Sequence, residues 1–126
     1  MKINYSYSAE QPSLMQSIGT ATSPKYQINF DTEELSSEDT EGKPVTNYRS
    51  LYVQVTALNY SDLVAAIIQS RYTSSDIEAI MLNNMEAIGN TETLTTEKRS
   101  EYIGEYMVLQ AWRAHAKEVA HEICEG

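Results

Sequence analysis

The chain has 126 residues, a length that fits one domain. Eighteen acidic residues outnumber nine basic ones, giving a formal net charge of −9. A surface of this sign repels the phosphates of free nucleic acid and of anionic membranes, so the composition argues against both as partners. The single cysteine, Cys124, excludes an intrachain disulfide and a cysteine metal cluster.

The segments at the start of the chain indicate strands and no export signal. The first residues lack the apolar run of a secretion signal, and no apolar stretch reaches the roughly 20 residues that cross a bilayer. Residues 3–7, 26–30 and 48–56 alternate apolar and polar side chains with the period of a β-strand. Because each strand is one-sided, we expect an antiparallel sheet with one wet face and one face covered by helices.

The aromatic residues of the first two strands allow two interpretations. Tyr5, Tyr7, Tyr26 and Phe30 could stack on bases, as in proteins that bind single strands, but that mode also needs a basic groove. We therefore predict that these four side chains pack as core beneath the helices.

Two connections separate the strands. Residues 10–25 lose periodicity and carry Pro12, Gly19 and Pro24, which predicts a long connection without regular structure. Residues 32–47 are acidic and contain the Gly-Lys-Pro sequence that starts at Gly42, which predicts a mobile acidic loop.

Two helices are predicted after the strands. The first is capped by Asn59 or Ser61 and ends near Arg71. The second has a capping-box spacing at Ser75 and Glu78 and ends at Gly89-Asn90. Their predicted buried stripes are Leu63, Val64, Ile67 and Ile68 in the first helix and Ile77, Ile80, Met81, Met85 and Ile88 in the second.

A long third helix of about 28 residues is predicted within residues 95–124. Its stripe recurs at steps of three and four: Tyr102, Tyr106, Leu109, Trp112, Ala116, Val119 and Ile123. About 28 helical residues span about 42 Å, more than the roughly 36 Å diameter of a compact chain of this size. The helix must therefore span the molecule, protrude toward a partner, or bend, and Gly104 is the expected place for a bend or a close helix–helix approach.

These elements predict an α+β fold in one folding unit. A β-rich part over residues 1–58 contributes a small one-sided antiparallel sheet of about three strands, and residues 59–126 form a three-helix part with a long last helix. Trp112 could pack on this sheet or form a seam with a partner helix, and both interpretations stay open. The candidate interface residues are Leu14, Met15, Ile18, Trp112, Val119 and Ile123.

The sequence predicts no catalytic, cofactor or metal site. Glu118 and His121 have the spacing of one half of a di-iron site, but no second such pair exists. His115 and His121 are six residues apart and so lie on different helix faces, which predicts surface histidines. Cys124 lies among acidic residues, which disfavour a reactive thiolate. We therefore expect a protein that is not an enzyme.

Two segments of the helical half are similar to a recurring module. Residues 60–80 begin YSDLVAAIIQSRYTSSD, and residues 106–120 contain QAWR and AKE. Together they resemble the pattern Y-x-x-L-V-x-A-x-I-x-x-R-Y-S-x-[DS]-[DE], followed by an aromatic and alanine-rich helix that ends A-K-E. The module occurs in small proteins of tailed phages and prophages of gut bacteria, often in virion or tail gene modules. The resemblance covers residues 60–125 and excludes the strands.

The resemblance implies a virion structural protein of the head, neck or tail, made in the bacterial host cytoplasm. Its expected partners are other copies of itself and other virion proteins, with the helical half docking and the β-rich half presented. An assembly chaperone that leaves before the virion matures is one alternative. An acidic inhibitor that occupies a host nucleic-acid-binding protein is the other.

Overall fold

The computed structural model describes residues 4–89 and 94–125 and contains a four-stranded antiparallel sheet followed by three helices. Its strands, in the spatial order β1-β4-β3-β2, are β1 (Tyr5–Ser8), β2 (Met15–Ser17), β3 (Tyr26–Glu38) and β4 (Pro44–Val55). Its helices are α1 (Tyr60–Arg71), α2 (Ser74–Gly89) and α3 (Thr96–Glu125). The α+β class with a long last helix is confirmed, with four strands instead of three.

The core lies between one face of the β3–β4 hairpin and the helices α1 and α3. Ile28 lies opposite Val53, and Tyr26 opposite Val55, so their side chains share one face of the sheet. The predicted apolar faces of β4, α1 and α3 are confirmed. The buried cluster consists of Ile28, Phe30, Val53, Val55, Leu63, Ile67, Tyr72, Leu109, Trp112, Ala116, Val119 and Ala120.

The strand β2 was not predicted, because three residues are too few to show a period of two. Met15 pairs with Ile28, and the buried Asn29 holds this segment against the sheet. The backbone N–H of Asn29 donates to the carbonyl of Leu14 at 2.9 Å. Its side-chain Nδ2 donates to the carbonyl of Ser13 at 2.9 Å and to Oε1 of Gln16 at 3.2 Å. The prediction of a connection without regular structure is therefore wrong for residues 15–17.

The predicted acidic loop over residues 32–47 is mostly a two-stranded ribbon, so that prediction is also wrong. β3 continues to Glu38 and β4 begins at Pro44. Oδ1 of Asp39 accepts from the backbone N–H groups of Glu41 and Lys43, both at 2.9 Å, and Gly42 has a φ of +80°, which closes the turn. Most side chains on both faces of the ribbon are exposed to solvent. This segment of the sequence therefore lacks the apolar alternation that indicates a strand.

The edge strand β1 corrects the prediction for its two tyrosines. Phe30 is buried and Tyr26 is partly buried, as expected, but Tyr5 and Tyr7 are 41% and 65% exposed. The guanidinium carbon of Arg49 lies 4.5 Å from the centre of the Tyr5 ring. Alternation predicted the strand, but it could not show that β1 would lie at the edge of the sheet.

The helix termini are set by short polar side chains. Oδ1 of Asn59 accepts from the N–H of Asp62 at 2.9 Å and starts α1, as predicted. The capping box of α2 is formed by Thr73 and Asp76, each of which accepts from the other's N–H at 3.0 Å. The predicted box at Ser75 is wrong because α2 starts one residue before it, at Ser74. The predicted stop at Asn90 lies outside the described residues.

The helix α3 is continuous through Gly104 over all 30 of its residues, about 45 Å. Nothing in the described chain lies within 4 Å of the position that a Cβ would take at Gly104, so the close approach expected there is not found. The first part of α3 packs beside α2, and Nε of Arg99 donates to the carbonyl of Ala87 at 2.8 Å. The later part packs on α1 and the sheet.

Candidate functional site

The helix α2 exposes most of the side chains that were predicted to be buried. Met81, Met85 and Ile88 are 49%, 62% and 63% exposed, and their neighbour Leu82 is 56% exposed. Against α3 the helix instead buries Ala87, with Ile77 and Ile80 partly buried. Periodicity failed here because apolar residues cover more than half of the circumference of α2. The pattern therefore could not show which side of α2 packs on α3.

The apolar surface of α2 continues onto α3. Ile77 and Met81 of α2 line a groove together with four residues of α3, which are Tyr106, Leu109, Gln110 and Arg113. Met107 is 64% exposed and lies one turn before Gln110 on α3. We call this surface the α2/α3 apolar face and define it as Met81, Leu82, Met85, Ile88 and Met107.

A second exposed feature is the two-stranded ribbon of residues 33–49, formed by the end of β3 and the start of β4, and it is acidic. Residues 33–49 contain five carboxylates and two basic side chains. Arg49 contacts the carboxylate of Glu33 through Nη2 and through Nε, the latter at 2.8 Å. The hydrogen bond to Glu33 raises the pKa of Arg49 above its ordinary value, since it favours the charged form. The ribbon therefore presents a negative arm with an ion pair near its base.

A cleft between the sheet and α3 contains a histidine–carboxylate pair. Nε2 of His115 lies 2.7 Å from Oδ1 of Asp31, and the ring of His115 is 5.6 Å from that of Trp112. Asp31 has a φ of +51° and lies at the bulge between Phe30 and Glu33. The pair thus joins an irregular point of β3 to the long helix.

The histidines and acidic residues considered above as metal ligands lie in the described chain. There, no three His, Cys, Asp or Glu side chains are placed to hold a metal ion. Nε2 of His121 pairs with Glu125 at 2.7 Å, whereas Glu118 lies 3.8 Å from Nδ1 of His115. Glu118 and His121 therefore contact different partners, His121 is exposed as expected, and His115 is half-buried. Cys124 is exposed.

The six residues predicted for an interface have different surroundings. Trp112 and Val119 are buried in the chain's own core, and Nε1 of Trp112 donates to the carbonyl of Ile67 at 3.1 Å. Leu14 and Ile123 are partly buried against that core. Met15 and Ile18 are 39% and 45% exposed, on the side of the sheet where β2 forms the edge.

Periodicity did not single out Leu82 and Met107, because neither lies on the predicted apolar stripe of its helix. A signal was nevertheless present, since residues 79–85 of α2 contain no charged residue in a chain that is otherwise strongly acidic.

The fold and these surfaces define the class of the protein as a small α+β chain with an exposed helical apolar face and an acidic ribbon. No family model, no curated protein and no solved structure matches it. Within the described ranges, no helix is long and apolar enough to cross a membrane.

Proposed function

We propose that the chain is a structural component of a tailed-phage virion, in the head, neck or tail. It acts by self-association and by docking onto other virion proteins. The α2/α3 apolar face is the observation that carries this proposal. Contiguous apolar patches of several hundred Å² on soluble proteins mark interaction sites, because their exposure to water is unfavourable. The resemblance of the helical half to phage proteins supplies the biological setting.

The two halves of the molecule have complementary roles in this proposal. The helical half docks through its apolar side chains, and the acidic ribbon is presented away from that contact. The part of the ribbon from Glu34 to Glu38 pairs with β4 but with neither edge strand, and five residues extend about 17 Å. Because the ribbon is acidic, its docking partners are proteins with basic surfaces and not nucleic acid.

Mass spectrometry of purified particles tests the proposal. Mature virions from a culture that carries the gene are separated from assembly intermediates, and the chain is quantified against a major capsid protein. A structural component is present at a fixed ratio in mature virions. Presence in intermediates alone supports an assembly chaperone and overturns the structural role.

The acidic ribbon favours one further candidate function, inhibition of a host nucleic-acid-binding protein. Such an inhibitor is absent from both particle fractions and captures a basic host protein from lysate in a complex that salt dissociates. Replacing Glu33, Glu34 and Glu38 together with glutamine should abolish that capture. Capture that survives both the substitutions and high salt would exclude the acidic ribbon as the binding surface.

A further inference from the structure

The α2/α3 apolar face belongs to a helix that is covered on one side only. Among the described elements, α2 packs substantially on α3 alone, whereas α3 also packs on α1. The layers are therefore the sheet, then α1 and α3, then α2. The pair formed by α2 and α3 therefore resembles half of a four-helix bundle, because the outer side of α2 is apolar. A second pair of helices would complete such a bundle.

The area of the face approaches what one side of a dimer interface requires. Its five side chains are 49% to 64% exposed. At roughly 120 Å² each, they expose on the order of 600 Å², against about 800 Å² per partner in a standard interface. Ile103, which is partly exposed and lies one turn before Met107 on α3, supplies further area. The face alone thus provides most of one side of a stable interface.

The composition of the face fits a second copy of the same surface. Met81, Leu82, Met85, Ile88 and Met107 carry no charge, although the chain as a whole carries −9. Charges in the face would select a partner of opposite charge, whereas an uncharged face packs against a second copy of itself without opposing like charges. Methionine side chains are flexible and repack readily against one another.

We propose that the α2/α3 apolar face is a two-fold interface between two copies of this chain. The two α2 helices run antiparallel with Met85 near the axis, so that Met81 lies beside the partner's Ile88. The groove between Ile77, Met81 and Tyr106 receives an apolar side chain from the other copy. This inference rests on the proposed function, since it names the partner for the self-association proposed there.

Sedimentation velocity of the full chain, over about 1 to 100 µM, tests the interface with a matched pair of variants. Met107→Glu places a charge in the face twice per dimer and should raise the dimer dissociation constant by at least about 100-fold. Val108→Glu is the control, because Val108 is 52% exposed on the same helix but points about 100° away. It should leave the dissociation constant within about threefold.

A second substitution guards against misfolding. Met85→Gln nearly preserves the shape of the side chain and its helix propensity, and should weaken the dimer at least tenfold without changing the circular dichroism spectrum. A monomeric wild-type chain at 100 µM overturns the proposal, and so does a dimer that Met107→Glu and Val108→Glu weaken equally. A monomer that is nevertheless present in virions refutes the interface and the self-association but leaves the virion role standing. A dimer that is absent from virions refutes the virion role and leaves the interface standing.

Discussion

The helices α2 and α3 have similar apolar content but different roles. α3 buries Leu109, Trp112 and Val119 within the chain, and the indole of Trp112 also donates a hydrogen bond to a backbone carbonyl of α1. α2 leaves Met85 and Ile88 more than 60% exposed. The difference shows that an amphipathic pattern identifies a helix with an apolar face to bury. The pattern does not show whether that face packs within the same chain or on another molecule.

Truncating Trp112, a buried residue of α3, should have the largest effect on the stability of the chain. Trp112→Ala removes a ring packed against Phe30, at a centroid distance of 6.1 Å, and the donor to the Ile67 carbonyl. We expect the free energy of unfolding to fall by about 3–5 kcal/mol, measured by urea denaturation at a concentration that keeps the chain monomeric. Met107→Ala should change it by less than about 0.5 kcal/mol under the same conditions. Equal effects would contradict the distinction between a buried α3 and an exposed face.

The next effect concerns the segment that joins β2 to the sheet. Asn29→Ala leaves the carbonyl of Ser13 without its side-chain donor and should cost about 1–3 kcal/mol. Hydrogen exchange should accelerate in residues 13–17 before the rest of the sheet. Gln54→Ala is the control, because its exposed side chain donates only at the surface, to Gln27 at 3.2 Å. Unchanged exchange in residues 13–17 would show that Asn29 does not hold this segment.

A smaller effect of opposite sign is expected in the first part of α3. Gly104→Ala adds a methyl group where nothing in the described chain lies within 4 Å, and it should stabilise the chain by about 0.5–1 kcal/mol. Thermal unfolding measures the shift. If the variant is destabilised, α3 bends or is contacted at this position in solution.

The smallest effect should appear at the start of α2 and depends on pH. Hydrogen bonds from the backbone and side chain of Thr73 lower the pKa of Asp76 below its ordinary value. A lowered pKa in the folded state gives stability that is present above the unfolded-state pKa and is lost as the pH falls through the folded-state pKa. Asp76→Asn should therefore destabilise the chain near neutral pH and lose that effect in acid.

Urea denaturation of the wild type and of Asp76→Asn, at about pH 6 and about pH 2.5, measures the difference in their free energies of unfolding. Glu78→Gln is the control, since Glu78 lies in the same turn but is not the acceptor of the Thr73 N–H. A difference between wild type and Asp76→Asn that stays constant with pH would refute the role of the Asp76 charge.

The fold could be predicted where the chain itself supplies the partner surface. β4, α1 and α3 showed strict periods, and Val53, Ile67 and Leu109 are all buried as expected. The ribbon could not be predicted as strand, because its stability comes from backbone pairing and the Asp39 turn and not from an apolar face. β2 depends on Asn29, whose polar side chain gives no periodic signal.

The burial of the helical apolar residues could not be predicted from their periodicity. The sequence indicated contact by helical apolar residues, yet it assigned Trp112 and Val119 to that contact and Met85 to the core, and the structure places Trp112 and Val119 inside and Met85 outside. These residues have the same periodicity, and only the tertiary arrangement of the sheet and α1 decides which of them is covered.

Hydrogen exchange of the intact chain as a function of protein concentration tests the central claim most directly. The claim is that α2 carries a face that the monomer leaves open and a second copy covers. Amide protection across residues 78–89 should rise as the concentration increases from about 1 to 100 µM, while protection at the ribbon turn near Gly42 stays constant. Protection of α2 that is independent of concentration would contradict the claim.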